Sequence, residues 1–379
     1  MKPSLNSFPF TKLFAYDCNT GVAGSPKQPS LKHIAELVGC SKNTVSLALR
    51  NSTRVSDKVR KQVRETANAL GYVPNARVNE ALRYVRSHRG KVIKETLGVL
   101  VDWPASKKSD LHYHQHLQLI FDSFEKRASE LGFATDYLFL SSQGMTEKRI
   151  LSIMRSRGIR GVAVMPMAEG PARLSLDLSS FASVQIGRTL WSPRLDTVAA
   201  DDADSVYLAS KVLWRRGYRR IGFFFSRWAL AQSLNRLEMG ALYSQQHVRG
   251  ISQIPIGISE NQKTQWDILD SEKLRGEFIP WFEKHRPEAI ICLGVAIKEI
   301  LENDLQLQVP EDVGIVQYDY VHKPGVEFAG IYHQKDRQAA YAVERLATRI
   351  SHGMFGVPNS PIEVSFPVRW VDGPTIKQC

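Results

Sequence analysis

Lys42, Asn43 and Thr44 stand in a row, two residues after a Gly39-Cys40 turn and just ahead of the apolar Val45, Ala48 and Leu49. Polar side chains at the exposed start of a helix carry the donors and acceptors found on base edges. An asparagine can pair bidentately with adenine, and a lysine favours guanine N7 and O6. A second group, His112, His114 and His116, has metal-ligand residue types at alternate positions, but no strand or carboxylate nearby would fix them, and no metal or other cofactor is expected. No GxGxxG follows a strand-like run, and GxxxxGK[ST], HExxH and GxSxG are missing, so nothing marks the chain as an enzyme. Cys18, Cys40, Cys292 and Cys379 lie far apart without CxxC spacing, which points to a reducing compartment and away from structural zinc.

The elements that must position the polar triplet can be read around it. Leu31, Ile34, Ala35 and Val38 recur at helical spacing until Gly39 breaks the run. Ser41 is a suitable N-cap for a second helix reaching about Arg50, with Val45, Ala48 and Leu49 inward. Ser56 caps a third, with Val59, Val63, Ala67 and Leu70 inward and Gly71 ending it. A small residue, a turn glycine and an apolar second helix are the packing needs of a helix-turn-helix, which leaves the start of the second helix free to enter a major groove. Charge agrees. From Lys27 to Lys91 there are 14 basic and 4 acidic residues, so this segment holds most of the chain's net charge of +12. A solvated basic helix surface is the blander reading; a nucleic-acid contact surface is the sharper one.

The remainder has another rhythm. The 379 residues suffice for two to three domains of about 150 residues each. Strand-like runs at 97–101, 134–140, 161–165, 221–225, 289–293 and 313–317 alternate with amphipathic stretches at 117–131, 147–157, 206–216 and 339–350. Such alternation implies α/β folding with parallel sheets and right-handed crossovers. The stretch is too long for one doubly wound sheet of ordinary size, so two subdomains are expected. Residues 1–29, rich in proline and glycine, read as a disordered arm or a misassigned start. Lys12 and Asp17 interrupt any signal-like apolar stretch, so a cytoplasmic protein is expected. No run approaches the roughly 20 apolar residues of a membrane helix.

The string Ser30-Leu-Lys-His-Ile-Ala-Glu-Leu-Val-Gly-Cys-Ser-Lys-Asn-Thr-Val-Ser-Leu-Ala-Leu-Arg-Asn51, followed by Val55-Ser56 and Leu70-Gly-Tyr-Val-Pro-Asn75, closely resembles the amino end of LacI/GalR-family transcriptional regulators. Further matches in family order are Gly217-Tyr-Arg-Arg-Ile-Gly222, Pro287-Glu-Ala-Ile-Ile291, Val309-Pro-Glu-Asp-Val-Gly-Ile-Val316, Ala339–Leu346 and Trp370-Val-Asp-Gly373. The resemblance covers roughly residues 30 to 373. It implies a helix-turn-helix domain over 30–75, a hinge helix and linker over 76–95, and a periplasmic-binding-protein-like core over 96–379. Within that core, subdomain 1 is expected at about 96–190 and 310–338, and subdomain 2 at about 191–309 and 339–379. Function follows as an expectation: a homodimer that binds double-stranded operator DNA, acts as a repressor, and changes its grip when a carbohydrate-related small molecule binds between the subdomains.

By the same resemblance, Lys42 and Asn43 are the leading base-reading residues and Leu47 takes a third base-facing position. Leu31, Ser41, Thr44, Ser46, Arg50, Arg54, Ser56 and Asn75 match positions near phosphates or flanking bases. Relatives push a hinge leucine into the minor groove; here Ala81 occupies that position, and Leu82 is the candidate wedge. For the effector, Tyr113 and His114 fall where relatives place cleft residues, Arg236 where an arginine forks to the ligand, Trp266 where an aromatic wall lies, and Arg188 at a strand end. Sugar-binding relatives carry an Asn-Asp-type pair after the strand corresponding to Ala289–Leu293; Leu293-Gly-Val-Ala-Ile297 has no carboxylate. A hexose gripped by that aspartate is therefore not expected. A secreted solute-binding protein, an enzyme, and an activator or effector-blind repressor remain as competing readings.

Overall fold

The computed structural model describes residues 31–49, 55–70, 95–105, 108, 115–260, 271–322 and 327–378, and the chain divides into a unit over Met1–Val92 and a unit over Ile93–Cys379. In the first unit, helices α1 (Leu31–Val38), α2 (Lys42–Leu49) and α3 (Asp57–Ala69) pack together. Their core is Ile34, Ala35, Val45, Ala48, Val63 and Ala67, inward positions that helical spacing selects, together with Val55 of the loop before α3. Gly39 turns the chain at φ +73°, a left-handed conformation that costs a glycine little. Ser56 precedes α3, but its side chain makes no capping hydrogen bond. The arm over 1–29 and the hinge segment lie outside the described residues, apart from Glu95.

The second unit contains two six-stranded sheets and a two-stranded ribbon. In chain order its elements are β1 (Glu95–Val101), α4 (Gln115–Glu130), β2 (Phe133–Phe139), α5 (Glu147–Ser156), β3 (Gly161–Val164), β4 (Ala172–Arg173), β5 (Ala182–Ile186), β6 (Leu190–Ser192), β7 (Asp196–Ala200), α6 (Asp202–Arg215) and β8 (Ile221–Ser226). There follow α7 (Arg227–Gln232), α8 (Arg236–His247), β9 (Gly257–Ser259), α9 (Ser271–His285), β10 (Ala289–Cys292), α10 (Gly294–Glu299), β11 (Gly314–Tyr320), β12 (Ala329–Tyr332), α11 (Lys335–Ser351), β13 (Glu363–Phe366) and β14 (Arg369–Val371).

The first sheet has the order β13-β7-β5-β3-β1-β2 and is parallel throughout. Side chains alternate across it. Leu97, Val99 and Val101 pack with α4 and α11, whereas Leu100, Val162 and Val164 pack on the other face with Ile150 and Met154 of α5. The second sheet has the order β14-β12-β11-β10-β8-β9, parallel except that β14 runs antiparallel to β12. Phe223 and Phe225 meet α6 and α8 on one face; Phe224, Ile290 and Cys292 meet α9 and α10 on the other. Helices α6 and α8 approach closely because Gly240 faces the α6 backbone: a Cβ there would lie 2.5 Å from the Ala203 carbonyl oxygen.

The subdomain bounds expected from the sequence need correction. Strand β7 belongs to the first sheet, although 191–309 was assigned to the second subdomain. Strands β11 and β12 lie in the second sheet, because β11 pairs between β10 and β12; α11 packs on the first sheet, because its apolar stripe (Ala339, Ala342, Val343, Leu346) meets α4. The chain crosses between the halves after β7, after β12, and between β13 and β14. Strand pairing decides these crossings, and helix-strand alternation along the sequence does not reveal them.

Candidate functional site

On the head, α2 begins at a serine that does cap it. Ser41 Oγ accepts the Thr44 N–H at 3.1 Å and lies 2.9 Å from Thr44 Oγ1. Ser41 and Lys42 are exposed, Thr44 is half-buried, and Val45 and Ala48 are inside. The tip is thus fixed by its cap and by the packing beneath it, with Lys42 outward. Leu31 and Leu47, expected to face DNA, are half-buried against the head core, so packing uses part of each side chain. Asn43 and Ser46 lie on α2, but their side chains fall outside the description, as do Arg50, Arg54, Asn75 and Leu82 altogether. Ser56 is exposed at the start of α3.

In the core, a cavity of about 190 Å³ collects residues from the carboxyl ends of strands in both sheets. Trp103 follows β1, Pro166 follows β3, Arg188 follows β5, Asp202 follows β7, Trp228 follows β8, Leu293 follows β10, Asp319 is the last residue but one of β11 and His333 follows β12. Open α/β sheets bind ligands at this edge because loops fan out there and leave a crevice. Arg188 is buried as expected of a cleft residue. Its guanidinium donates to Glu363 at 2.6 and 2.9 Å, to Asp202 at 3.1 Å and to the Ala200 carbonyl. Arg236 is not among the lining residues; its guanidinium stands 4.0 Å from the Glu363 carboxylate. Tyr113, His114 and Trp266 lie outside the described residues.

The cavity also holds an ion cluster of which residue types and spacing singled out only His116. Lys335 Nζ donates to Asp319 Oδ2 at 2.5 Å and lies 2.9 Å from His116 Nδ1. His333 Nδ1 stands 3.4 Å from Asp319 Oδ1 and 3.9 Å from Asp202 Oδ1. Burial acts to raise the Asp319 carboxyl, but His116, Lys335 and His333 outweigh it and hold the group well below the ordinary carboxylate range. Asp202 goes the other way: burial raises it, and His333 and Arg188 offset only part of that. Two indoles also line the cavity. Trp103 and Trp228 meet edge to face with centroids 6.4 Å apart, and their N–H groups donate to the Pro166 and Ala168 carbonyls, each at 2.8 Å. Their position just past a strand's carboxyl end is the signal that could have found Trp103 and Trp228.

A capped helix on a trihelical head, in one chain with a two-sheet core that has a cavity at its strand ends, is the arrangement of a DNA-binding transcription regulator. The model of "Bacterial regulatory proteins, lacI family" matches residues 30–75. An HTH-type transcriptional repressor PurR of Yersinia enterocolitica is 24% identical over 335 residues, covering 85% of this chain and 90% of its own. Another PurR, of Pectobacterium carotovorum, is 22% identical over 332 residues, with the same coverage of 85% and 90%. Among solved structures, a Lac repressor bound to ONPG aligns with a TM-score of 0.55 at 18% identity, over 92% of this chain and 100% of its own. A transcriptional regulator CelR–cellobiose complex aligns with a TM-score of 0.54 at 18% identity, over 92% and 99%. The head of the chain thus matches the lacI-family model, and most of its length is similar to LacI-type transcription regulators.

Proposed function

We propose that the chain is a repressor that reads operator DNA through the start of α2 and adjusts its grip according to a small molecule held in the core cavity. The observation that carries this reading is the tip Ser41–Thr44, capped and presented over a packed three-helix core inside the segment matched by the lacI model. Such a head spans only a few base pairs, so two heads in a homodimer would read a pseudo-palindromic site. The arrangement suits a cytoplasmic protein, and no helix among the described residues is long and apolar enough to cross a membrane.

Family resemblance favours a carbohydrate-related effector, and the CelR neighbour was solved with cellobiose. The lining of this cavity bears on that point: its polar groups gather near Asp319 and Arg188, while Leu117, Ile120, Leu237 and Leu293 make much of the remaining wall. The function is tested by selecting genomic fragments with the full chain and measuring their affinity for Lys42→Ala. Loss of a base contact costs about 1–3 kcal/mol, so binding to the selected site weakens about 5- to 150-fold while non-selected DNA is held nearly as before. Equal loss on both DNAs, or none on either, contradicts base reading by this tip.

A further inference from the structure

The cavity's ligand can be inferred from the polar atoms that remain uncommitted. Arg188 bonds Glu363, Asp202 and the Ala200 carbonyl. Thr189 Oγ1 accepts from the Met167 N–H, Gln232 donates to the Ala168 carbonyl, Ser233 to the Leu230 carbonyl, and Gln338 to the His333 carbonyl. Lys335 is held between Asp319 and His116. Two buried side-chain atoms of the lining have no hydrogen-bond partner: Asp319 Oδ1 and His333 Nε2.

The carboxylate atom can only accept, whereas the imidazole nitrogen can accept or donate. Asp319 is a carboxylate surrounded by cationic and imidazole groups that keep it ionised. His333 turns Nδ1 toward the Asp319 and Asp202 carboxylates and presents Nε2 to the cavity, where a ring nitrogen gives or takes a hydrogen bond according to its proton. A ligand must therefore bring along one edge a donor for Asp319 and a group, such as a second hydroxyl, that can give or take a hydrogen bond at His333. Those groups must be uncharged, since Lys335 and Arg188 already face the two aspartates and would repel an ammonium group. Apart from the committed polar groups and the Tyr318 side chain, the rest of the wall is hydrocarbon and indole. Size sets the last limit. A cavity of about 150 Å³ with apolar walls holds one benzene ring, and this one is about 190 Å³. A hexose would carry hydroxyls around its whole rim and set most of them against carbon, unpartnered.

We propose that the cavity binds an uncharged hydroxylated aromatic ring of the phenol or catechol class, its O–H edge on Asp319 and His333 and its ring against Trp103, Trp228 and the aliphatic wall. This assignment rests on the reading of the cavity as the effector site. The test titrates the full chain with catechol, 1,2-dimethoxybenzene and glucose, following calorimetric heat and the affinity of a selected DNA fragment. Catechol should bind saturably and at least tenfold tighter than its dimethyl ether, which keeps the ring but has no donors, and glucose should give no heat at the same concentrations. Asp319→Asn should weaken catechol at least tenfold. The ether comparison uses unaltered protein and decides the matter even if that variant folds poorly. Equal binding of catechol and its ether, or tighter binding of glucose, overturns the ligand class. If glucose binds and shifts DNA affinity, the effector site stands and only the class is lost. If no probe binds while DNA is still bound specifically, the class and the effector reading of the cavity both fail.

Discussion

Replacing Asp319 with alanine removes a carboxylate that ties the two halves of the core together. Asp319 is the last residue but one of β11 in the second sheet, whereas Lys335 opens α11 and His116 lies on α4, both helices packed on the first. Three partners face it: Lys335 Nζ at 2.5 Å, His333 Nδ1 at 3.4 Å and His116 Nδ1 at 3.7 Å. A unit charge pair at 4 Å gains about 4 kcal/mol at an effective dielectric near 20, and desolvation offsets much of it. Deleting one partner is costlier than the net worth of the pair, because the other charges stay in place without compensation; about 3–5 kcal/mol is the usual loss. At about 2 °C per kcal/mol for a domain of this size, Tm falls by about 6–10 °C. Calorimetry of the full chain at pH 7 measures it. Lys335→Ala in the same background should recover part of the loss, with a coupling of about 1–3 kcal/mol. The pH course has a definite sign. The folded carboxyl is depressed below its ordinary value, so its stabilisation is fully present above about pH 5 and declines as pH falls through the unfolded toward the folded value. The gap between wild type and Asp319→Ala should therefore narrow from pH 5 to pH 3. A Tm change under 2 °C, or a gap that stays flat to pH 3, refutes the account of this junction.

Two further substitutions test the packing. Gly240→Ala places a Cβ 2.5 Å from the Ala203 carbonyl oxygen and 3.0 Å from Val206 Cβ, so α6 and α8 must separate; a loss of about 1–3 kcal/mol in urea unfolding is expected, and an unchanged midpoint contradicts the close approach. Asp196→Ala strips the buried partner from Arg349 (3.0 Å) and Arg345 (2.7 Å) and should cost about 3–5 kcal/mol in the same assay. Arg345→Ala should cost clearly less, since Arg345 is partly exposed and Arg349 still pairs with Asp196.

How much of this was legible in the sequence depends on the range of the interactions. The head was read almost residue by residue, because Ile34, Ala35, Val45, Ala48 and Val63 obey a helical period and every contact among them spans a few turns. The strands seeding both sheets were equally plain, as β-branched runs between amphipathic helices. The assignment of β11, β12 and α11 to their halves was not legible, since it turns on which strand pairs with which across long stretches of chain. In the cavity, Arg188 was found through its place at a strand end. Asp319, His333 and Lys335 carry no motif; they become a cluster only where β11, β12 and α11 bring them within 4 Å.

The same residues both line the cavity and sit at the crossings between the halves. Asp202 begins α6 directly after the first crossing, and His333, Gln334 and Lys335 form the second. Gln334 is buried there and donates to the carbonyl of Pro367 in the third crossing, so the second and third are fastened to each other. A ligand can shift a conformational equilibrium only through contacts that differ between its states. Any movement of one sheet against the other must carry Asp319 relative to Lys335 and His116, since β11 belongs to one half and α4 and α11 to the other. A molecule that pairs with Asp319 and His333 therefore engages the groups whose spacing records the arrangement of the two halves. Leu117 and Ile120, by contrast, ride on α4 with the first sheet, so on the proposed reading that part of the apolar wall would supply affinity and the Asp319 cluster the difference between states.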